Sequence, residues 1–234
     1  MKLETLNQLN TERAARRSVI VVTDVANGEQ RLVKATDFAT DPLRADLAKQ
    51  LRMGKSGMIE ADDRKLFLNV YAPTAKLVIV GAVHISQALA PLARALDYDV
   101  TVVDPRTAFA SPERFPDVPL IAEWPDVALP PLNVDHYTAF VALTHDPKID
   151  DPALLHAFQR DCFYIGALGS RKTHAKRGER LKAQGADDAD IARIHAPIGL
   201  PIGAVSPSEI AVSIMAEITA ELRLPREIKK EQAA

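Results

Sequence analysis

A glycine and an aspartate, separated by the length of one helix, are the residues of this chain best placed to do chemistry. Gly81 follows an apolar run at residues 77–80, a helical pattern comes next, and Asp104 follows a second apolar run at residues 100–103. Strand, glycine turn, helix, strand and terminal acid predict the opening βαβ unit of a dinucleotide-type fold. Such a turn directs backbone N–H groups at an anion, and the acid can reach a ribose hydroxyl. The alternative is that Gly81 serves only a tight turn.

The glycine fingerprint of this turn is incomplete. The pattern G-x-G-x-x-G falls on Gly81, Val83 and Ser86. The second glycine normally lets the backbone approach a pyrophosphate, and a β-branched residue such as valine also resists a positive φ. The sequence therefore predicts the fold strongly but predicts weak binding of NAD(P).

Polar or glycine-rich residues follow four of the predicted strands. Ligands of open parallel sheets bind outside the carboxyl ends of the strands, so these residues should converge on one crevice. The candidate cofactor-binding residues are Gly81, Ala82, Val83, His84, Asp104, Arg106, Thr144, His145, Asp146, Gly166, Gly169, Ser170 and Arg171. No catalytic residue and no metal ligand is assigned.

Several of these residues have both a functional and a structural interpretation. Arg106 could bind a phosphate through its guanidinium or could be a solvated charge, and Asp104 could bind a ribose or only pair with Arg106. His145 and Asp146 are adjacent at a strand end and should point to opposite faces, so they are not expected to pair as base and orienter. A second candidate anion cradle, with a fixed positive charge beside it, is formed by Gly166, Gly169, Ser170 and Arg171.

Composition narrows the class of protein. The 234 residues are 47% hydrophobic and have a net charge of −2. The chain therefore lacks the excess of positive charge that is typical of proteins that bind nucleic acid or an anionic membrane. The N-terminus has no signal-peptide core, and no apolar run approaches the roughly 20 residues of a membrane span. The single cysteine, Cys162, is expected to be a buried structural thiol, and the six histidines lack zinc-ligand spacing. These features predict a cytoplasmic protein with no membrane span and no nucleic-acid partner.

The hydrophobic pattern predicts two domains that meet near residue 74. Residues 1–73 predict a small α+β domain, with a hairpin at Asn27-Gly28, a helix closed by Gly54 and a second hairpin near Asp62-Asp63. Residues 74–224 alternate strands and helices. This pattern predicts an α/β fold with a Rossmann-like, mostly parallel sheet and helices on both faces. Residues 225–234 are predicted to be a polar tail.

Motifs spread over about residues 66–222 carry a family resemblance. In order, they are residues 81–84 (GAVH), 102–106 (VVDPR), Phe109 with 112–116 (PERFP), 144–147 (THDP), 164–173 (YIGALGSRKT), 195–200 (HAPIGL) and 206–211 (SPSEIA). In these segments the chain resembles the XdhC/CoxI family of accessory factors, which help to mature molybdenum hydroxylases such as xanthine dehydrogenase. The resemblance implies a Rossmann-like domain, binding of molybdenum cofactor (molybdopterin), delivery to an apo molybdenum hydroxylase, and often a homodimer.

The chain departs from this family pattern at two places. Val83 stands where the family has its second glycine, and the N-terminal part lacks the family's cysteine-and-double-glycine segment. That segment is the one expected to handle sulfur or contact the cofactor. A separate chain could supply it, and a cysteine desulfurase is a further candidate partner.

Three functions compete at this point. The first is a cofactor-handling maturation protein, which needs no catalytic step and in which Arg106 and Arg171 would bind the ligand's phosphate without contributing much to folding. The second is an NAD(P)-dependent oxidoreductase, with His84 or His145 as proton donor. The third is a non-catalytic adaptor with a degenerate nucleotide site. The fold does not decide among them.

Overall fold

A computed structural model of the protein describes residues 1–224, and the predicted tail at 225–234 lies outside the described residues. The chain divides into two compact units, Met1–Pro73 and the residues from Thr74 onward. The predicted fold class is confirmed, because the second unit contains a six-stranded parallel sheet and the first a small antiparallel sheet. Among the described helices, none has the length and apolar character needed to cross a bilayer.

The first unit packs two helices with a four-stranded antiparallel sheet of order β2-β1-β4-β3. Its elements are α1 (Leu3–Ala14), β1 (Val19–Asp24), β2 (Gln30–Lys34), a 3-10 helix (Ala35–Thr40), α2 (Arg44–Met53), β3 (Gly57–Ala61) and β4 (Arg64–Tyr71). Gly54 ends α2 with a φ of 64°. Asp62 and Asp63 adopt φ values of 49° and 57°, so they form the tight turn between β3 and β4.

The second unit has the strand order of doubly wound nucleotide-binding folds. Its elements are β5 (Lys76–Val80), α3 (His84–Ala95), β6 (Asp99–Val103), β7 (Leu120–Ile121), α4 (Pro125–Ala128), a 3-10 helix (Pro130–Leu132), β8 (Thr138–Ala142), α5 (Pro147–Phe158), β9 (Tyr164–Ala167), α6 (Arg171–Ala183), α7 (Asp188–Ala192), β10 (Ile194–His195) and α8 (Pro207–Arg223). The sheet order is β10-β9-β8-β5-β6-β7, and all pairings are parallel. The chain leaves β5 in one direction and returns to its other side at β8. The junction of β5 and β8 is therefore the topological switch point, where ligands of such sheets bind.

The central strand of this sheet is buried on both faces. Along β5, Leu77 and Ile79 pack into a cluster shared with α3 and α8, whereas Val78 and Val80 pack into a second cluster shared with α5 and α6. Alternate residues of a strand point to opposite faces, so two layers of helices cover an apolar strand. This packing fixes the carboxyl ends of the strands and hence the loops that follow them.

Candidate functional site

Gly81 allows the ends of β5 and β8 to approach each other closely at the switch point. Its φ is +117°, and a Cβ built on it would lie 2.8 Å from Cγ2 and 3.2 Å from the backbone nitrogen of Thr144. Its amide donates to the carbonyl oxygen of Val103 at 2.8 Å. Because both the backbone conformation and the space exclude a side chain, packing at the switch point is sufficient to explain this glycine.

Asp104 holds the turn after β5 and the loop after β6 together. Its side chain has no solvent exposure. Oδ2 accepts hydrogen bonds from the Ala82 amide at 2.7 Å and from Nη2 of Arg106 at 2.7 Å. Oδ1 accepts bonds from the amide and Nε of Arg106, both at 2.9 Å. The turn amide and the guanidinium share one oxygen atom, so Arg106 lies directly beside the turn.

These bonds also fix the charge of Asp104. Burial alone would raise the pKa of Asp104, but hydrogen bonds from the Arg106 side chain and from the amides of Ala82 and Arg106 outweigh it and lower the pKa. Asp104 is therefore a carboxylate at neutral pH, with both oxygens bonded inside the protein. A ribose hydroxyl would have to compete with these bonds. Nη1 of Arg106, in contrast, has no hydrogen-bond partner among residues 1–224.

A second guanidinium, that of Arg114, contacts the same turn. Its Nη1 donates to the carbonyl oxygens of Ala82 at 3.0 Å and Phe109 at 2.8 Å, and its Nη2 donates to Oε1 of Gln87 at 3.0 Å. The Cζ atoms of Arg106 and Arg114 lie 4.5 Å and 5.7 Å from the centroid of the Phe109 ring. Sequence reasoning omitted Arg114 from the candidate site, although it stands within the PERFP segment.

The N-terminus of α3 keeps its backbone donors free of a side-chain cap. Val83 is the N-cap residue, with a φ of −96°, and makes no capping hydrogen bond. The extended backbone suits valine, so the expected resistance to positive φ does not arise here. The helices α5, α6 and α8 are instead capped by Asp146, Ser170 and Ser206. The uncapped amides of α3, at the positive end of the helix dipole, can bind an anion. His84 is exposed in the first position of this helix.

A second buried acid, Asp150, fixes the loop after β8. Its oxygens accept hydrogen bonds from the Thr144 amide at 3.2 Å, the Thr144 hydroxyl at 2.6 Å and the His145 amide at 3.0 Å. His145 is exposed and has a φ of +63°, a conformation unusual for a residue with a side chain. Asp146 accepts from the Lys148 amide at 2.9 Å and so caps α5. Sequence reasoning missed Asp150 because a carboxylate inside a helix usually faces solvent.

The glycine-rich segment after β9 has structural tasks of its own. A Cβ on Gly166 would lie 2.5 Å from Cδ1 of Ile198, so packing of the loop after β10 against β9 requires this glycine. Gly169 has a φ of +133°, and Ser170 accepts a hydrogen bond from the Thr173 amide. Arg171 is exposed. The anion cradle suggested for this segment stays a prediction.

The predicted site residues thus fall into two groups. Residues 81–84, residues 104–106 and residues 144–146 follow the neighbouring strands β5, β6 and β8 at the switch point. There Asp104 accepts hydrogen bonds from Ala82 and Arg106, and Gly81 lies against Thr144. Residues 166–171 belong to the end of β9, and β8 lies between β9 and β5. Arg106 and Arg171 therefore follow strands that are not neighbours.

The family model described as the XdhC Rossmann domain matches residues 77–218. The chain belongs to the XdhC family. It is 33% identical over 154 residues to a probable subunit of xanthine dehydrogenase from Bacillus subtilis (strain 168), covering 65% of this chain and 44% of that protein. It is 32% identical over 157 residues to the molybdenum cofactor insertion chaperone PaoD of Escherichia coli (strain K12), covering 67% of this chain and 43% of that protein. The predicted family resemblance is confirmed.

A solved structure supports the same fold. A protein described as a xanthine dehydrogenase from Bacillus halodurans superposes on this chain with a TM-score of 0.64 at 22% identity, covering 96% of this chain and 65% of the other. At that identity the likeness concerns the fold alone. The XdhC match begins inside β5 and ends inside α8, so every predicted site residue lies within it. This XdhC chain spans less than half the length of the two relatives above.

Proposed function

We propose that this chain binds the molybdenum cofactor at the turn after β5 and assists its insertion into an apo molybdenum hydroxylase. One observation carries the proposal. Oδ2 of Asp104 accepts hydrogen bonds from both the Ala82 amide and the Arg106 guanidinium, which holds a fixed cation beside the uncapped N-terminus of α3. Backbone amides at a helix N-terminus together with a guanidinium are well suited to a phosphate group.

The chemistry of the cofactor fits these donors. The molybdenum cofactor is a pterin that carries a dithiolene and a phosphate. It is therefore an anion whose phosphate end strongly accepts hydrogen bonds. Nη1 of Arg106 is free of partners among the described residues, and Arg114 adds a second positive charge at the same turn. Each charge-assisted hydrogen bond to the phosphate would contribute roughly 1.5–3 kcal/mol.

The acids of the crevice favour binding over catalysis. Asp104 is bonded to Arg106, Asp150 to the Thr144–His145 turn, and Asp146 to the Lys148 amide. Each of these carboxylates therefore takes part in positioning a loop of the crevice. A chaperone needs a binding site of this kind and no catalytic base, and one relative carries the name of a molybdenum cofactor insertion chaperone.

The nicotinamide alternative has less support. It requires an acid that is free to bind a ribose, whereas both oxygens of Asp104 are bonded within the protein. It also requires close approach of a pyrophosphate at Val83, whose side chain is half-buried against the apolar cluster of α3 and α8. The maturation function makes neither demand.

Mass spectrometry of the small molecules bound to the purified full chain would test the proposal. The chain would be taken from cells that make molybdenum cofactor and also incubated with molybdopterin released from a purified molybdenum hydroxylase. A bound pterin is expected; NAD(P) instead would support the oxidoreductase. If no ligand binds in either preparation, the adaptor function would replace the one proposed.

Matched variants locate the site. Arg106→Lys keeps a cation for Asp104 but presents no second guanidinium nitrogen, so molybdopterin should bind about tenfold more weakly. Arg160→Ala is the control, because Arg160 is exposed just beyond the C-terminal end of α5. Activation of an apo molybdenum hydroxylase by the loaded chain would then test insertion. Equal affinity of Arg106→Lys and the natural chain would remove this turn from the site.

A further inference from the structure

Three elements bring a tyrosine, a histidine and a glutamate together away from the switch point. Tyr164 lies on β9, His195 on β10 and Glu217 on α8. The Tyr164 hydroxyl donates to Oε2 of Glu217 at 2.5 Å, and Nδ1 of His195 lies 3.1 Å from Oε1. The Gly199 amide donates to Oε2 at 2.9 Å. The His195 and Tyr164 rings also pack with centroids 4.6 Å apart.

The loop that contributes Gly199 is pressed tightly against α8. Gly199 has a φ of +90°, and a Cβ there would lie 2.3 Å from Oγ of Ser213. Tyr164 is 1% exposed. The buried phenol of Tyr164 and the Gly199 amide thus hold the Glu217 carboxylate in place, and that carboxylate bonds His195.

These contacts fix the tautomer of His195. Burial alone would raise the pKa of Glu217, but hydrogen bonds from His195 and Tyr164 outweigh it and lower the pKa. An ionised carboxylate only accepts hydrogen bonds, so Nδ1 of His195 carries the proton. In the neutral imidazole, Nε2 is then a hydrogen-bond acceptor.

The accepting nitrogen is open to a ligand. The His195 side chain is 29% exposed. Within residues 1–224, Nε2 has no hydrogen-bond partner, and it is not one of the buried unpartnered atoms, which include Nε2 of His156. Histidines that bind a ligand or accept a proton typically have this arrangement, in which a carboxylate orients one nitrogen of the imidazole and the other nitrogen is open.

The position of His195 relates it to the proposed cofactor site. It ends β10 at the carboxyl edge of the sheet, and its partner Glu217 belongs to α8. The α3 turn lies at the same edge, on the face that α3 and α8 share. Three strand spacings, about 14 Å, separate β10 from β5. An elongated ligand with a phosphate at one end could therefore have its other end near His195.

We propose that Nε2 of His195 accepts a hydrogen bond from an N–H group of the pterin ring of the bound cofactor. The inference rests on the proposed function, which supplies a ligand with an anionic end and a ring edge rich in N–H donors. Arg106 and the α3 turn bind the first end, and His195 recognises the second. His195 is thus a specificity-determining residue, absent from the site predicted from the sequence.

Two substitutions distinguish a role of His195 in recognising the ligand from a purely structural role. His195→Asn keeps a donor near Nδ1 for Glu217 but has no acceptor at the position of Nε2, whereas His195→Gln can place its amide oxygen there. Molybdopterin affinity of the full chain should fall about five- to tenfold in His195→Asn and recover in part in His195→Gln. Thermal unfolding of the same samples would report any structural loss.

Nitrogen-15 NMR of histidine-labelled protein, recorded at a pH high enough for the imidazole to be neutral, gives a readout independent of the ligand. The His195 signals, assigned by their loss in His195→Gln, should report a protonated Nδ1 and an unprotonated Nε2. A proton on Nε2, or unchanged affinity in His195→Asn, would overturn the inference while Arg106→Lys still tests the proposed function. If the natural chain binds no molybdopterin, both proposals fall together.

Discussion

Arg106 donates two side-chain hydrogen bonds to a carboxylate that is fully shielded from solvent, from Nε to Oδ1 of Asp104 at 2.9 Å and from Nη2 to Oδ2 at 2.7 Å. Arg106 itself is 31% exposed, so it has one side bonded in the protein and one side open. This pairing makes Asp104 the residue that positions the cation, and it makes the cation part of the fold as well as of the proposed site.

Removal of Arg106 should therefore destabilise the protein. Arg106→Ala leaves the buried carboxylate of Asp104 without its counter-charge, and we expect the free energy of unfolding to fall by about 1–3 kcal/mol. This differs from the expectation, drawn from the sequence, that loop arginines contribute little. Urea denaturation would measure the change. Arg171→Ala, at an exposed position, serves as the control. Its free energy of unfolding should stay within about 0.5 kcal/mol of that of the natural chain.

The same pair should give the protein a characteristic dependence on pH. The pKa of Asp104 in the folded state lies below its ordinary value of 3.8, so its contribution to stability is present above that value and is lost as the pH falls through the folded pKa. Asp104→Asn should be less stable than the natural chain at pH 7, and the difference should shrink below about pH 4. Thermal unfolding of both proteins from pH 7 to pH 3 would test this; a difference that grows on acidification would contradict it.

The sequence predicts the frame of the site because the frame depends on local patterns. Apolar runs at residues 77–80 and 100–103, with Gly81 and Asp104 after them, are sufficient to place a strand, a turn, a helix and a strand end. The rule for parallel sheets then brings the loop at residues 144–146 to the same edge.

The partners of these residues depend on tertiary packing and could not be predicted in this way. Arg114 reaches the turn from a segment with no regular secondary structure, and Glu217 meets His195 across 22 positions of sequence. Nothing in the sequence except the nearby Arg106 indicates that both oxygens of Asp104 accept hydrogen bonds within the protein. Pattern rules therefore identify where a ligand can bind, while hydrogen-bond geometry determines which groups are free to bind it.

Substitution of Gly81 should disrupt the switch point. Gly81→Ala adds a Cβ at a φ of +117° and 2.8 Å from Cγ2 of Thr144. We therefore expect the free energy of unfolding to fall by about 2–4 kcal/mol. Gly185→Ala is the matched control, because Gly185 has a φ of +98° but open space around it, and should cost only about 1 kcal/mol. Urea denaturation compares the two.

A double substitution isolates the steric part of this effect. Thr144→Ser removes Cγ2 and keeps the hydroxyl that bonds Asp150. Gly81→Ala combined with Thr144→Ser should therefore recover part of the lost stability. If the two substitutions are simply additive, the methyl contact is not the cause.

Cys162 should be chemically inert in the folded protein. Burial raises the pKa of its thiol to about 12, and its exposed fraction is 7%. At pH 8 only roughly one molecule in ten thousand would carry the reactive thiolate. Ellman's reagent should therefore detect no thiol in the native chain and one per chain after unfolding in guanidinium. Rapid reaction of the native chain would contradict both the burial and the structural role predicted from the sequence.

Substitution of Val83 tests whether the incomplete glycine fingerprint weakens dinucleotide binding. The natural chain should bind NAD(P) only at about millimolar concentration or worse, since a side chain at this position can cost a pyrophosphate ~2–4 kcal/mol. Val83→Gly should bind more tightly, with Val83→Ala in between because it keeps Cβ. Both should lose a little stability, because Val83 packs against the apolar cluster of α3 and α8. Titration calorimetry with NAD and NADP would measure the series, and micromolar binding by the natural chain would refute the prediction and revive the oxidoreductase alternative.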